Sequence, residues 1–298
     1  MSASDLSRRP VVVVETAKAL RDAVGAARRS GLKIGLTPTM GALHAGHQSL
    51  MHAARSECGF VVATIFVNPT QFGPHEDFHR YPRDLARDLA ACEAAGVDLV
   101  FHPPVAAMYP ADHVTFVEVA GLSNLWEGKS RPGHFRGVAT VVLKLLNLVT
   151  PDIAYFGQKD FQQQAIIRRM CRNLDLPVEI RVCPIVRDAD GLALSSRNVY
   201  LSAEDRAAAL ALSRCLQVAA GMVGGGETDL ALVRRAMRKE LAASPRVEPD
   251  YATLVDPETL EEVDDCPLRL AAIVAARVGT TRLIDNLLID RCPPCAQS

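Results

Sequence analysis

His44 and His47 stand three residues apart in the segment Thr37-Pro38-Thr39-Met40-Gly41-Ala42-Leu43-His44-Ala45-Gly46-His47, directly behind the apolar run Ile34-Gly35-Leu36. The pattern reads as a strand running into a glycine-containing loop and then a helix. A helix N-terminus offers unpaired backbone N–H groups and the positive end of the helix dipole, which together attract anions. Gly41 and Gly46 let a phosphate approach the main chain closely. Two histidines on one face of the first helical turn would both donate to the same oxygens. The chemistry this constellation suits is that of a nucleotide phosphate. A zinc reading needs a third protein ligand, and the histidines at 52, 75, 79, 102, 113 and 134 show no partnering motif.

Three further segments carry groups that would serve the same chemistry. In Phe156-Gly157-Gln158-Lys159-Asp160 a lysine follows a glycine at a strand's end, where it reaches phosphate oxygens, and Asp160 would hold that lysine or a ribose hydroxyl; an ordinary helix start is the alternative. Gln163, four residues beyond Lys159, would share its helical face. Leu194-Ser195-Ser196-Arg197 follows the turn Asp190-Gly191 and combines two hydroxyls with a fixed cation, either on a loop that closes over a triphosphate or on a plain turn before a helix. Asn68-Pro69-Thr70-Gln71-Phe72 sets two uncharged amides at another strand's end. They suit a small polar acid, or Asn68 merely stabilises a turn before Pro69. Residues 127–136, polar and rich in cations and glycine, read as a mobile flap or a surface loop.

Positioning these groups requires an alternation of strands and helices. Short, nearly continuous apolar runs at 11–14, 33–36, 61–67, 98–101 and 153–156 read as buried parallel strands. Between them, three- and four-residue apolar spacing predicts helices over 17–29, 48–58, 84–95, 137–149 and 161–174. The fold class is therefore α/β, a Rossmann-like doubly wound parallel sheet over residues 1–185. Its ligands belong beyond the carboxyl ends of the strands, so residues 44–47 and 156–160 are expected to share one crevice. Residues 186–298 read as a smaller α+β domain carrying the Ser195-Ser196-Arg197 loop. There Ser202-Ala203-Glu204-Asp205 caps a long alanine-rich helix, a glycine-rich joint at 221–226 leads to a helix over 230–241, and strands at 251–255, 270–278 and 282–289 form an antiparallel sheet.

Composition narrows the class without naming it. The chain has 298 residues, 49% hydrophobic and 22% charged, which is ordinary globular usage for about two domains. A formal charge of −1 gives no basic field for nucleic acid, so anion binding must be local. The N-terminal ten residues are polar, 11–14 is too short for a secretory signal, and Lys144 interrupts the longest apolar candidate, 138–149, so neither export nor a membrane span is expected. Eight cysteines without a framework spacing suggest reduced, mostly buried thiols and a cytoplasmic protein. Cys292-Pro293-Pro294-Cys295 is the one C-x-x-C pair, and a frayed end explains it better than a metal or redox site.

Taken together, Met40-Gly41-Ala42-Leu43-His44-Ala45-Gly46-His47, Phe66-Val67-Asn68-Pro69-Thr70-Gln71-Phe72, Arg131-Pro132-Gly133-His134-Phe135-Arg136-Gly137, Phe156-Gly157-Gln158-Lys159-Asp160-Phe161-Gln162-Gln163 and Ser195-Ser196-Arg197-Asn198 resemble the pantoate–β-alanine ligase (pantothenate synthetase) family, in the right order and over residues 11–290. This family belongs to the H-x-G-H nucleotidyltransferases. The resemblance implies that pantoate is adenylated by ATP, with Mg²⁺, and that β-alanine then displaces AMP to give pantothenate. It implies that ATP is bound by Met40, Gly41, Ala42, Leu43, His44, Ala45, Gly46, His47, Gly157, Gln158, Lys159, Asp160, Val186, Leu194, Ser195, Ser196 and Arg197. Catalysis would rest on His47 as proton donor, with His44, Lys159 and Arg197. Gln71 and Gln163 would hold pantoate, with Gln71 also meeting β-alanine, and the protein would be a homodimer. Leu194, Gln158 and Thr70 depart from the family's usual Met, Glu and Met, mild changes expected to touch adenine contacts more than chemistry.

Two other readings lead elsewhere. A nucleotidyltransferase that attacks with a phosphate should carry extra cations in its acceptor pocket, and the uncharged Gln71 and Gln163 favour a carboxylic hydroxy acid instead. A tRNA- or nucleotide-binding module would need a basic surface that the net charge does not suggest.

Overall fold

The computed structural model describes residues 10–74, 76 and 78–291, so the Cys292/Cys295 tail lies outside the described residues. They form two compact units, one of residues 10–157 with 166–184 and the other of 158–165 with 185–291.

The first unit is built from β1 (Val12–Val14), α1 (Ala17–Arg29), β2 (Ile34–Thr39), α2 (Ala45–Glu57), β3 (Phe60–Ile65), α3 (Leu85–Ala94), β4 (Leu99–Phe101), α4 (Val105–Met108), α5 (Trp126–Ser130), α6 (His134–Val149), β5 (Ile153–Gly157), α7 (Phe161–Asn173) and β6 (Glu179–Cys183). The first residues of α7 count with the second unit. The strands form one parallel sheet in the order β1-β4-β3-β2-β5-β6. After β2 the chain runs outward through β3 and β4, then returns to β2's other side as β5. The carboxyl ends of β2 and β5 therefore flank the point where strand order reverses, the position at which sheets of this kind accept ligands.

The central strands are apolar on both faces: Ile34, Leu36, Val61, Val62, Ile153 and Ala154 are all fully buried. Aspartates satisfy the strand entries, Asp152 accepting from Ile34 N–H at 2.7 Å and Asp98 from Val61 N–H at 2.7 Å. β2 extends past the expected residue 36 through Pro38, although proline cannot donate to a ladder. Threonine side chains do the bonding there. Thr37 Oγ1 donates to Val62 O and Thr39 Oγ1 to Thr64 O, while Thr64 Oγ1 accepts from Thr39 N–H at 3.2 Å. The sixth strand, β6, was not expected from the sequence. It is an edge strand whose Glu179 and Arg181 break the apolar run, Arg181 pairing with both Glu179 and Glu57.

The second unit packs α8 (Ala203–Gly224) and α9 (Leu230–Ala242) on an antiparallel sheet of β7 (Val247–Val255), β8 (Arg269–Val278) and β9 (Thr281–Asp290), in the order β7-β8-β9. Its core draws Leu212, Leu216 and Val223 of α8 together with Val233, Met237, Leu254, Ala272 and Val274. Ser202 caps α8 by accepting from Asp205 N–H at 3.1 Å, as its sequence indicates. The glycine joint is shorter than expected, because α8 continues through Gly221 to Gly224 before its cap at Gly225. By length and composition α8 is apolar enough to cross a membrane, although charged residues at its start and Arg214 interrupt its apolar run. Its apolar residues are the core of this unit.

Candidate active site

The loop between β2 and α2 is held by its own side chains and by one buried carboxylate. His44 is the N-cap of α2, not a member of its first turn: its Nδ1 accepts from Gly46 N–H at 3.1 Å, and His47 Nδ1 accepts from His44 N–H at 3.4 Å. Both Nδ1 atoms are thereby acceptors, so each neutral ring carries its proton on Nε2. The rings lie 4.1 Å apart between centroids. Asp88 of α3, 2% exposed, accepts from Ala42 N–H at 3.0 Å and Leu43 N–H at 2.8 Å. Gly41 N–H goes to Thr39 Oγ1 at 3.3 Å, and His47 N–H to His44 O at 2.8 Å.

This corrects the sequence expectation on one point. Amides 41–44, 46 and 47 are all engaged within the protein, so the loop presents no ring of open amides, and the groups left to carry anion chemistry are its two imidazoles and the dipole of α2. Gly41 is required by conformation: its φ is +85°, and a Cβ there would stand 2.7 Å from Asp88 Oδ2.

Asn68 and Gln71 divide their roles. Asn68, 1% exposed, spends its whole amide on structure: Oδ1 accepts from Thr70 Oγ1 at 2.9 Å and Tyr109 OH at 2.8 Å, while Nδ2 donates to Gln71 Oε1 at 3.0 Å and Gly137 O at 3.2 Å. The turn reading is the right one for Asn68. Gln71 Nε2 points at Met40 Sδ, 2.9 Å away, so Gln71 sits against the residue that opens the histidine loop.

Residues 127–136 are no flap. They form α5 and the start of α6, with Glu127 and His134 buried. His134 Nδ1–H donates to Gln71 O at 2.8 Å, its Nε2 accepts from Arg131 at 3.0 Å, and Arg131 clamps Glu76 through two bonds of 2.6 Å. Burial, reinforced by the Arg131 charge, pushes the His134 pKa down to about 4, so the ring is neutral near pH 7. Burial alone would raise the Glu76 carboxyl, but hydrogen bonds and charge from Arg131 outweigh it and hold Glu76 below its usual range. Gly137 lets α6 approach this turn, since a Cβ there would lie 2.3 Å from Thr70 O.

In the second unit, Lys159 lies in the turn before α7, so it does not share a helical face with Gln163, which sits half-buried inside the helix. Lys159 Nζ is 3.9 Å from Asp160 Oδ1. Gln158 turns its side chain to Asn286, donating to Oδ1 at 3.1 Å, so that group is committed to the protein. Val186 and Leu194 face each other across a hairpin, with Leu194 N–H on Val186 O at 3.0 Å and a bridge between Arg187 and Ala193. The hairpin delivers Ser195, which caps a short 3-10 turn by accepting from Arg197 N–H at 3.3 Å, and Asn198 ties that turn to Ala193 O at 3.1 Å. Ser195, Ser196 and Arg197 are all half-buried.

The sequence profile of pantoate–β-alanine ligases matches residues 12–288. The chain belongs to the pantoate–β-alanine ligase family. It is 54% identical to the pantothenate synthetase of Moorella thermoacetica over 278 residues, covering 93% of this chain and 98% of that protein. With the pantothenate synthetase of Roseiflexus castenholzii the identity is 56% over 257 residues, covering 86% and 92%. The crystal structure of pantothenate synthetase from Thermus thermophilus superposes with a TM-score of 0.89 at 51% identity, covering 93% of this chain and 99% of that one. The pantoate–β-alanine ligase of Francisella tularensis, solved with β-γ ATP and β-alanine, gives 0.76 at 33% identity, covering 93% and 97%. Membership in this family accounts for the motif order along the whole chain. Sequence reading missed Asp88 and Asn286, because each bonds to a loop far away along the chain.

Proposed function

We propose that this chain ligates (R)-pantoate and β-alanine at the expense of ATP, through a pantoyl-adenylate intermediate, releasing pyrophosphate and AMP. The observation that carries the reading is the mutual capping of His44 and His47, which commits both Nδ1 atoms to the main chain and leaves each ring as an Nε2–H donor. In the first step the pantoate carboxylate attacks the α-phosphorus and pyrophosphate leaves. The charge that develops on the phosphate oxygens needs fixed donors and cations more than acid–base chemistry. His44 and His47 donate to those oxygens, with His47 the proton donor, and Lys159, Ser195, Ser196 and Arg197 meet the triphosphate. Met40, Gly41, Ala42, Leu43, Ala45, Gly46, Gly157, Gln158, Asp160, Val186 and Leu194 also bind ATP, and Gln158 is bonded through its side chain to Asn286.

In the second step the β-alanine amine attacks the acyl carbon, AMP leaves, and the amine's proton passes to solvent. Gln71 and Gln163 hold pantoate by its hydroxyls and carboxylate, and Gln71 also meets β-alanine. Magnesium enters as part of the Mg·ATP substrate. The active protein is a homodimer of the cytoplasm. Its free cysteines at 58, 92, 171, 183, 215 and 266 fit a reducing compartment, and size-exclusion chromatography with light scattering tests the dimer.

Isotope exchange between pyrophosphate and ATP, with pantoate and without β-alanine, tests the reaction itself. Pantoate-dependent exchange supports carboxylate adenylation. Exchange that ignores pantoate and appears with a phosphorylated acceptor refutes it.

A further inference from the structure

Outside the residues so far assigned to ATP, the second unit carries a heavily bonded buried polar pair, Asp285 and Asn286 on β9. Asn286 is 1% exposed and Asp285 5%. The Asn286 carboxamide nitrogen donates to two successive carbonyls, Gln158 O at 2.9 Å and Lys159 O at 3.0 Å, and its oxygen accepts from the Gln158 side chain at 3.1 Å. Three bonds from one side chain fix the turn from which Lys159 extends. Asp285 accepts from Arg187 through both oxygens, at 2.6 and 2.9 Å, and from Asn286 N–H at 2.8 Å. Arg187 also donates to Gly191 O at 3.1 Å, closing the hairpin that leads to Ser195. On the far side of that hairpin, Arg206 of α8 binds Asp188 at 2.7 Å and Asp190 at 2.9 Å.

We infer that Asn286 is a positioning residue for the adenylation step, and that with Asp285 it anchors both the Lys159 turn and the Ser195–Arg197 loop to one rigid strand. The inference rests on the ATP roles proposed above for those two segments. A flexible lysine gains little from a buried anchor unless its starting point matters. A charge that must meet a triphosphate in its transition state has such a requirement, and misplacement by about 1 Å costs on the order of 10²-fold. Neither Asp285 nor Asn286 needs to touch substrate for this. A carboxamide suits the place because it presents two donors to two carbonyls, which no carboxylate can do.

The test compares half-reactions in the full-length protein. Wild-type protein is first assayed for pantoate-dependent pyrophosphate–ATP exchange; absence of exchange there refutes the adenylation reading and is scored separately from the role of Asn286. Asn286→Asp, which turns a carboxylate toward the two carbonyls, should lower exchange about 10²-fold. The conversion of supplied pantoyl adenylate and β-alanine to pantothenate should change by less than about twofold. In a Lys159→Ala background, Asn286→Asp should add less than about twofold to the loss already present, because both changes then act through one group. Equal losses in the two half-reactions, or full multiplication of the two losses in the double variant, would overturn the inference. If Asn286→Asp yields no folded protein, Asn286→Ser, too short to reach either carbonyl, is held to the same outcomes.

Discussion

Asp88 offers the sharpest test of how the histidine loop is built. Its buried carboxylate receives the amides of Ala42 and Leu43 at 3.0 and 2.8 Å and belongs to α3, with no contact expected to substrate. Asp88→Asn keeps the volume and one acceptor oxygen, but turns an NH₂ toward one of the two amides. One hydrogen bond to a charged acceptor is lost, worth about 1.5–3 kcal/mol, and one buried N–H is stranded, while removing a buried charge returns part of that cost. The net destabilisation is roughly 2 kcal/mol. Trp126, the chain's single tryptophan, lies in α5 of the first unit, so its fluorescence follows unfolding of that unit without contribution from the second. With a urea slope of about 1–3 kcal/mol/M, the midpoint should fall by roughly 1 M. Below the transition, exchange should drop about tenfold, with a higher KM for Mg·ATP, as the imidazoles lose their fixed direction. A wild-type midpoint would refute the hydrogen-bond argument. A lowered midpoint with unchanged exchange would refute the claim that Asp88 sets the geometry of the histidines.

Other perturbations probe the same assembly. His47→Ala and Lys159→Ala should each lower pyrophosphate–ATP exchange by about two decades or more while the protein stays folded by Trp126 fluorescence, and near-normal rates would remove those roles. His134→Gln tests the neutral imidazole: the folded ring titrates near 4 against 6.5 when unfolded, so the unfolded chain binds the extra proton between those values. Stability should therefore fall as pH drops from 6.5 toward 4, by about 3 kcal/mol in full, and the variant should lack that part of the slope in denaturation at pH 7.5 and 5. Gly137→Ala places a methyl 2.3 Å from Thr70 O and should cost about 1–3 kcal/mol, with weakened pantoate binding by calorimetry as the Gln71 turn shifts.

The sequence carried the architecture well where one face decided the pattern. Continuous apolar runs marked the buried parallel strands, and three- and four-residue spacing marked their helices, because burial on both faces leaves no room for charged residues in β2, β3 and β5 and admits threonine only where its hydroxyl is bonded. β6 escaped because an edge strand tolerates Glu179 and Arg181, and β2 ran longer than expected because threonine hydroxyls did the bonding around Pro38. The motifs holding His44, His47, Gln71, Lys159 and Ser195–Arg197 stood out in the sequence, and their roles are the proposal made above. The destination of the loop amides did not stand out. Asp88 lies 45 residues from Leu43, and Asn286 lies 127 from Lys159, and no local periodicity announces which distant carboxylate or carboxamide a loop will recruit. Histidine as a helix cap was equally hidden, since Ser, Thr, Asp and Asn ordinarily fill that position.

The composition of α8 has a consequence for synthesis on the ribosome. This helix is as greasy as a membrane span, and the strands that cover it, β8 and β9, are encoded well downstream of it. At about 5–20 residues per second, the nascent chain displays an uncovered apolar helix for several seconds before the covering hairpin emerges. During that interval the half-made second unit exposes apolar surface that its finished fold buries, which makes it the stretch of synthesis most open to aggregation.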